Sequence, residues 1–203
     1  NYRPELNLLL HFDHHNEEVL VNMVRSHGIE DLAFLFLLNA ICVAIPGLSN
    51  GIFCVLNGIL YGPAWGFIVN WISDILGQII LMELLQKLYD MKKMSNSKVY
   101  KLLTGLKSPM LGLIIGYMIP FIPSATVSYV NIMINKEQRK KQLIPIIIGV
   151  IPFAYLYAYG GDSILHLDGT RLIKVVISFV VIALIAVAIL LSLRAIKKRT
   201  KKA

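Results

Sequence analysis

The sequence predicts an all-α integral membrane protein with two inverted re-entrant helical hairpins, each followed by a spanning helix, and a further spanning helix near the C-terminus. Three observations lead to this fold class. Hydrophobic residues make up 56% of the chain and charged residues 16%, whereas a soluble domain carries about 25% charged residues. The apolar residues form long uncharged stretches, and the basic residues cluster between them. This composition argues against disorder and against an ordinary soluble enzyme.

The apolar stretches fall into two classes by length. A helix that crosses the hydrocarbon core of a bilayer needs about 20 residues. Residues 63–85, 143–161 and 172–193 are close to that length, and we expect each to cross once. Residues 32–62 and 108–135 are too long for one crossing and too short for two. We therefore expect these two stretches to enter the membrane and to return on the same side.

Prolines near the middle of both long stretches support the hairpin interpretation. Residues 45–50 read IPGLSN, and residues 119–124 read IPFIPS. Proline lacks the amide donor that a helix needs, and it disfavours helical geometry at the residue before it. The prediction is therefore two hairpins, 32–62 and 108–135, with broken tips. Two kinked helices joined by ordinary loops are the alternative.

The basic residues predict how the chain is oriented. Of the 20 Lys and Arg residues, six lie in 87–107, four in 136–141 and six in 194–203. If both long stretches are re-entrant, all three clusters lie on one side of the membrane, and the positive-inside rule makes that side the cytoplasm. We therefore expect a multi-pass protein of the cell membrane whose basic loops and C-terminus are cytoplasmic.

This arrangement divides the chain into four parts. Residues 1–30 form an extracytoplasmic amphipathic segment, residues 31–161 the core, residues 171–195 a C-terminal transmembrane helix and residues 196–203 a basic cytoplasmic tail. The core contains two units of the same order, a broken hairpin and then a spanning helix, which enter from opposite faces. Secondary transporters are often built from such inverted repeats, with the site where the broken elements meet.

A polar stripe on the first spanning helix predicts a functional site. Asn70, Asp74 and Gln78 are spaced four residues apart, so they share one face of the helix. An ionised carboxylate inside a bilayer costs at least a few kcal/mol, and such residues usually face the bundle interior and serve a function. We expect these residues to act in transport or proton coupling. The alternative is a structural role, in which Asp74 is tied to donors at the hairpin tips.

The hairpin tips predict a path for a headgroup. The N-terminal ends of half-helices present free backbone N–H groups and a positive dipole end, which favour an anion such as a phosphate. Mutual capping of the broken helix ends is the alternative. The tip residues assigned to this path are Pro46, Gly47, Ser49, Asn50, Pro120, Pro123 and Ser124.

Several classes of function lack the residues they require. The sequence has no nucleophile elbow, zinc-protease motif or phosphate-binding loop, so we do not expect an enzyme, and no cofactor is implied. The topology accounts for the positive charge, so we do not expect nucleic acid as a partner. No metal site is expected from the N-terminal residues His11, Asp13, His14 and His15, because their spacing matches no strong ligand pattern.

Two runs of sequence carry a resemblance to a known family. The first contains Pro46 and Gly47 and continues through residues 56–66 (LNGILYGPAWG) to Gly77. The second contains residues 119–123 (IPFIP) and, shortly after, residues 129–131 (YVN). Together they resemble the DedA / VTT-domain (SNARE-associated Golgi protein) superfamily of membrane proteins, most closely its bacterial branch.

The resemblance implies two facing re-entrant hairpins and the movement of lipids between leaflets. Bacterial members are linked to the recycling of polyprenyl-phosphate carriers, eukaryotic relatives to phospholipid scrambling, and some members to the proton-motive force. Many members carry an arginine where this chain has Tyr117, so the resemblance adds Tyr117 to the headgroup path.

These observations lead to a hypothesis about function. We expect a multi-pass membrane protein that translocates lipids, either a polyprenyl phosphate or a phospholipid with an anionic headgroup, between leaflets. Coupling of this movement to protons is left open. A non-transporting scaffold or assembly factor is one alternative, and a carrier of ions or small solutes is another. Association into a homo-oligomer is left open.

Overall fold

A computed structural model of the chain describes residues 28–88, 108–119, 122–136 and 138–200. It also describes six separate residues, namely Asn22, Arg25, Tyr100, Leu102, Leu103 and Leu106. The all-α prediction is confirmed, because these residues form helices and contain no strand. The helices of the four continuous ranges are α1 (Ile29–Ala44), α2 (Gly51–Leu88), α3 (Pro109–Met118), α4 (Ser124–Ile134), α5 (Arg139–Gly149), α6 (Ile151–Leu165) and α7 (Gly169–Thr200).

Three helical segments of the described chain are long and apolar enough to cross a membrane. They are Gly51–Leu88, Arg139–Leu165 and Gly169–Ser192, and they overlap the three predicted spanning helices. An 18-residue window of the third segment has a mean hydropathy of 3.2, and many Ile, Leu and Val side chains of the segment are exposed. Such a surface suits lipid tails better than water. The chain is therefore a membrane protein with spanning helices.

The first long apolar stretch is broken at residues 45–50, as predicted. Helix α1 ends at Ala44, because Ile45 is extended, with φ −97° and ψ 115°, as expected for a residue that precedes proline. Gly47 has φ 94°, a left-handed conformation that glycine adopts without strain. The chain resumes helical geometry only at Gly51, where α2 begins.

Helix α2 contains a second change of direction, at the predicted boundary between the first hairpin (32–62) and the spanning helix that begins at residue 63. Gly62 has φ 75° and interrupts the helix immediately before Pro63. Arg25, which precedes α1, donates a hydrogen bond to the carbonyl of Ile59 at 3.5 Å and forms an ion pair with Asp162 of α6. Arg25, which precedes the first stretch, therefore lies beside the end of that stretch. Its entry into the membrane from one side stays a prediction.

The second long stretch is broken between α3 and α4. Ile119 is extended, with φ −99° and ψ 111°, and α4 begins directly after Pro123. The two short helices contact each other, since a side-chain carbon at Gly116 would lie 3.1 Å from Val127. A hydrophobic core joins them to α2, α5 and α7. Residues 120–121 lie outside the described residues.

Close packing between α2 and α6 fixes the position of the first break. A side-chain carbon at Gly58 would meet the backbone of Ala158, and one at Gly161 would meet the backbone of Val55. The two helices therefore touch backbone to backbone, a contact that small residues permit within membranes. Trp71 adds a hydrogen bond from its indole nitrogen to the carbonyl of residue 147 at 2.9 Å, which joins α2 to α5.

Some sequence predictions fall on parts of the chain that the structure does not describe. Most of the N-terminal segment 1–30, most of the basic loop 87–107 and the last three residues of the tail lie outside the described residues. Helix α7 continues to Thr200, beyond the predicted end of the transmembrane helix at residue 195.

Candidate functional site

A cavity of about 310 Å³ lies between the two breaks. The first break contributes residues 45 and 47–50 to its wall, and the second contributes residues 119 and 122–125. Helices α2, α3 and α6 supply the remaining polar and aromatic side chains, namely Asp74, Gln78, Tyr117, Phe153 and Tyr157. Two segments that are far apart in the sequence therefore face each other across one space.

Most of the residues that the sequence assigned to transport are found at this cavity. Those that line it are Asp74, Gln78, Gly47, Ser49, Asn50, Tyr117, Pro123 and Ser124. Pro46 and Asn70 are described but are not among the lining residues, and Pro120 lies outside the described residues. The role of each of these residues in transport stays a prediction.

Asp74 is a buried carboxylate at the cavity wall. Its side chain is 9% exposed, and its Oδ1 atom accepts hydrogen bonds from Asn50 Nδ2 at 2.7 Å and from Asn39 Nδ2 at 3.1 Å. No Lys, Arg or His within the described ranges forms an ion pair with it. The carboxylate is therefore stabilised by amide dipoles but is not neutralised by a cation.

Asn39 is a member of this site that the sequence analysis missed. It lies on α1, is fully buried, and also donates a hydrogen bond to Ser73 Oγ. Cys54 Sγ lies 3.5 Å from Asn39 Oδ1. The sequence did contain a signal, because a lone amide in an otherwise apolar helix usually bonds to a neighbouring helix. Asn39 thereby attaches α1 to the polar face of α2.

Gln78 connects the same face of α2 to the second break. Ser128 of α4 donates to Gln78 Oε1 at 2.8 Å, and the Tyr117 hydroxyl lies 2.9 Å from Ser128 Oγ. Asn131 Nδ2 approaches the same hydroxyl at 3.4 Å. The Tyr117 hydroxyl is thus held by α4. Tyr117 supplies no positive charge to the cavity.

Asn70 shares the helical face of Asp74 but has a different environment. It is fully buried, and its Oδ1 accepts a hydrogen bond from Asn57 Nδ2 at 2.8 Å. Its Nδ2 donates to the carbonyls of Cys54 at 3.0 Å and Ala154 at 3.2 Å. Asn70 therefore joins both parts of α2 to α6. This geometry gives Asn70 a structural role, and its predicted role in transport stays a prediction.

Aromatic side chains of α6 form another part of the wall. Phe153 and Tyr157 both line the cavity, and the ring of Phe179 from α7 packs behind them, with centroid distances of 4.8 Å and 5.2 Å. The first break closes against one of these rings, since a side-chain carbon at Gly51 would lie 3.4 Å from Tyr157. Neither Phe153 nor Tyr157 was predicted from the sequence to have a role.

Comparison with known proteins identifies one family. The family model of the VTT domain matches residues 45–163, which is more than half of the chain. This domain is that of the DedA/SNARE-associated Golgi protein family. The matched segment contains both breaks and every residue that lines the cavity except Val43. No curated protein and no solved structure matches the chain.

Proposed function

This chain belongs to the VTT domain family, and from that premise we propose that it moves lipids between the two leaflets of a membrane without acting as an enzyme. The headgroup would pass through the cavity between the breaks, while the acyl chains stay in the bilayer. Both long stretches would be re-entrant, and the basic loops and the C-terminus would face the cytoplasm of a cell, as the positive-inside rule requires.

The observation that carries this proposal is the polar cavity where the two breaks meet. Non-helical backbone at membrane depth is tolerated only where it is buried in protein or lines a water-filled space. Here both breaks border one space, together with Asp74 and Gln78. A membrane scaffold would be expected to pack the stripe of polar residues on α2 against protein, without a cavity. All three residues are buried, but Asp74 and Gln78 also border the cavity, whereas Asn70 does not.

Proton coupling through Asp74 is part of the same proposal. The carboxylate borders the cavity, so a proton can reach it through water. The other titratable side chains around it are Cys54 on α2, Tyr117 on α3 and Tyr157 on α6. An anionic headgroup, as the sequence predicts, would meet a like charge at this wall unless Asp74 were protonated.

Reconstitution into liposomes tests the proposal directly. Fluorescent lipids are placed in both leaflets, and dithionite then bleaches those that reach the outer surface. Lipid exchange would carry the bleaching well beyond half of the fluorescence. We expect Asp74→Asn to abolish the exchange or its difference between pH 6 and pH 8, because this substitution removes the only charge in the described wall.

Glu30→Gln is the matched control, since Glu30 is an exposed acid in the first turn of α1. It should exchange lipid like the wild type. Bleaching by the wild type that stops at half would rule out translocation of the lipid used. Wild-type exchange by a folded Asp74→Asn protein at both pH values would refute the role of Asp74.

A further inference from the structure

The charge and the aromatic content of the cavity wall indicate which headgroups it accepts. We propose that the cavity binds the ammonium group of a zwitterionic phospholipid headgroup, between the Asp74 carboxylate and the rings of Phe153 and Tyr157. This inference rests on the proposed translocation of lipids and adds the chemical class of the headgroup.

The charge of the wall is negative only. Asp74 is the one charged side chain among the described residues of the lining, which contain no Lys, Arg or His. Positions 120 and 121, within the second break, are Pro and Phe and add no charge. A carboxylate that is largely removed from bulk water either takes up a proton or is stabilised by an opposite charge nearby. Because the described residues supply none to Asp74, a cationic ligand would complete the site.

The aromatic rings suit the same ligand. Phe153 and Tyr157 are four residues apart on α6 and so lie on one face, and both line the cavity. Their packing against Phe179 holds them in place. Amine and quaternary ammonium groups bind to aromatic faces by cation–π attraction, which grows stronger when water is excluded. Tyr117 adds another ring from α3.

The size and the polar groups of the cavity fit a zwitterionic headgroup. A volume of about 310 Å³ is at the small end of the range for ligand pockets, so it admits a headgroup while the acyl chains remain outside. Ser49 and Ser124, one from each break, also line the wall, and their hydroxyls are suitable donors to the phosphate. A headgroup with a phosphate and no ammonium would bring a like charge to Asp74 without compensation.

Lipid exchange in liposomes measures this selectivity. The two probes are phosphatidylcholine and phosphatidylglycerol, each with the same fluorescent label on an acyl chain so that the headgroup is intact. We expect phosphatidylcholine to exchange about tenfold faster or more. Phe153→Leu should remove most of this preference, whereas Phe34→Leu should keep it, because Phe34 is 62% exposed on α1. Equal or faster exchange of phosphatidylglycerol by the wild type would overturn the inference and leave translocation intact.

A binding measurement separates this inference from translocation itself. The melting temperature of the detergent-solubilised protein is measured with glycerophosphocholine and with glycerol 3-phosphate. Glycerophosphocholine should raise it in the wild type and not in Asp74→Asn, because a ligand that binds only the folded state stabilises it. This result without any lipid exchange would support headgroup binding and refute translocation. No shift, or an equal shift with glycerol 3-phosphate, would overturn the inference.

Discussion

Replacement of Asn70 by Leu should destabilise the protein, because the Asn70 side chain makes hydrogen bonds that join both parts of α2 to α6. The substitution removes the hydrogen bonds with Asn57, Cys54 and Ala154. Hydrogen bonds between helices of membrane proteins average about 0.6 kcal/mol, so their loss costs about 2 kcal/mol. The Asn57 amide also loses its partner in a buried place, which costs about 1 kcal/mol or more. The sum is about 3 kcal/mol.

Thermal unfolding in detergent, followed by tryptophan fluorescence, measures this cost. For a chain of about 200 residues, 1 kcal/mol changes the melting temperature by about 2–4 °C, so we expect a decrease of about 6–12 °C. Gln86→Leu is the matched control, because Gln86 is an exposed amide on the same helix. Its melting temperature should stay close to that of the wild type. A decrease for Asn70→Leu no larger than for Gln86→Leu would refute the structural role.

Two further substitutions test the packing and the ion pair at α6. Gly58→Val should lower the melting temperature, because overpacking costs about 1–3 kcal/mol and the new side chain would meet the backbone of α6. Gly169 has open space around it, so Gly169→Val should lower the melting temperature much less. Equal decreases for the two variants would contradict the close contact of Gly58 with α6. Asp162→Asn should lower the free energy of unfolding by about 2 kcal/mol. This loss is smaller than that for a fully buried ion pair, because the side chain of its partner Arg25 is 30% exposed. Asp168→Asn should lower the free energy of unfolding by less, because the side chain of Asp168 is 33% exposed. Equal decreases in melting temperature for the two variants would argue against a stabilising ion pair at Asp162.

The breaks could be predicted because their causes are local. Proline at positions 46 and 120 acts on its own backbone and on the residue before it, so the sequence alone locates the ends of α1 and α3. The change of direction at Gly62 also has a local cause, because Gly62 precedes Pro63 and lies at the predicted end of the first hairpin. The sequence did not predict the positive φ of Gly62, where a side-chain carbon would lie 3.3 Å from the Arg25 guanidinium.

The polar stripe on α2 shows what helical periodicity predicts about a site and what it does not. The spacing of Asn70, Asp74 and Gln78 correctly predicts that they share a face. It does not predict what covers that face. Asn70 meets the backbone of α6, whereas Asp74 and Gln78 border the cavity. Contacts with residues about 80 positions away decide between the two environments, and no local pattern contains them.

The alternative that ties Asp74 to a donor at a hairpin tip agrees with the hydrogen bond from Asn50. Two other residues of the site, Asn39 on α1 and Phe153 on α6, were not predicted, because they belong to helices that the sequence marks mainly as apolar. Their place at the site depends on the close approach of α1 and α6 to α2, which Gly77 and Gly58 permit. The sequence shows that glycines are present at these positions, but only the structure shows which backbone each one faces.

The hydrogen bonds of Asp74 allow the effect of its charge to be tested separately from its structural role as a hydrogen-bond acceptor. Both amide donors, Asn39 and Asn50, reach Oδ1, and an asparagine side chain offers an oxygen acceptor of the same kind. Asp74→Asn can therefore keep both bonds and lose only the negative charge. If the carboxylate served only to cap the first break, this variant would retain activity and stability. A loss of lipid exchange with an unchanged melting temperature would instead show that the charge itself acts in the cavity.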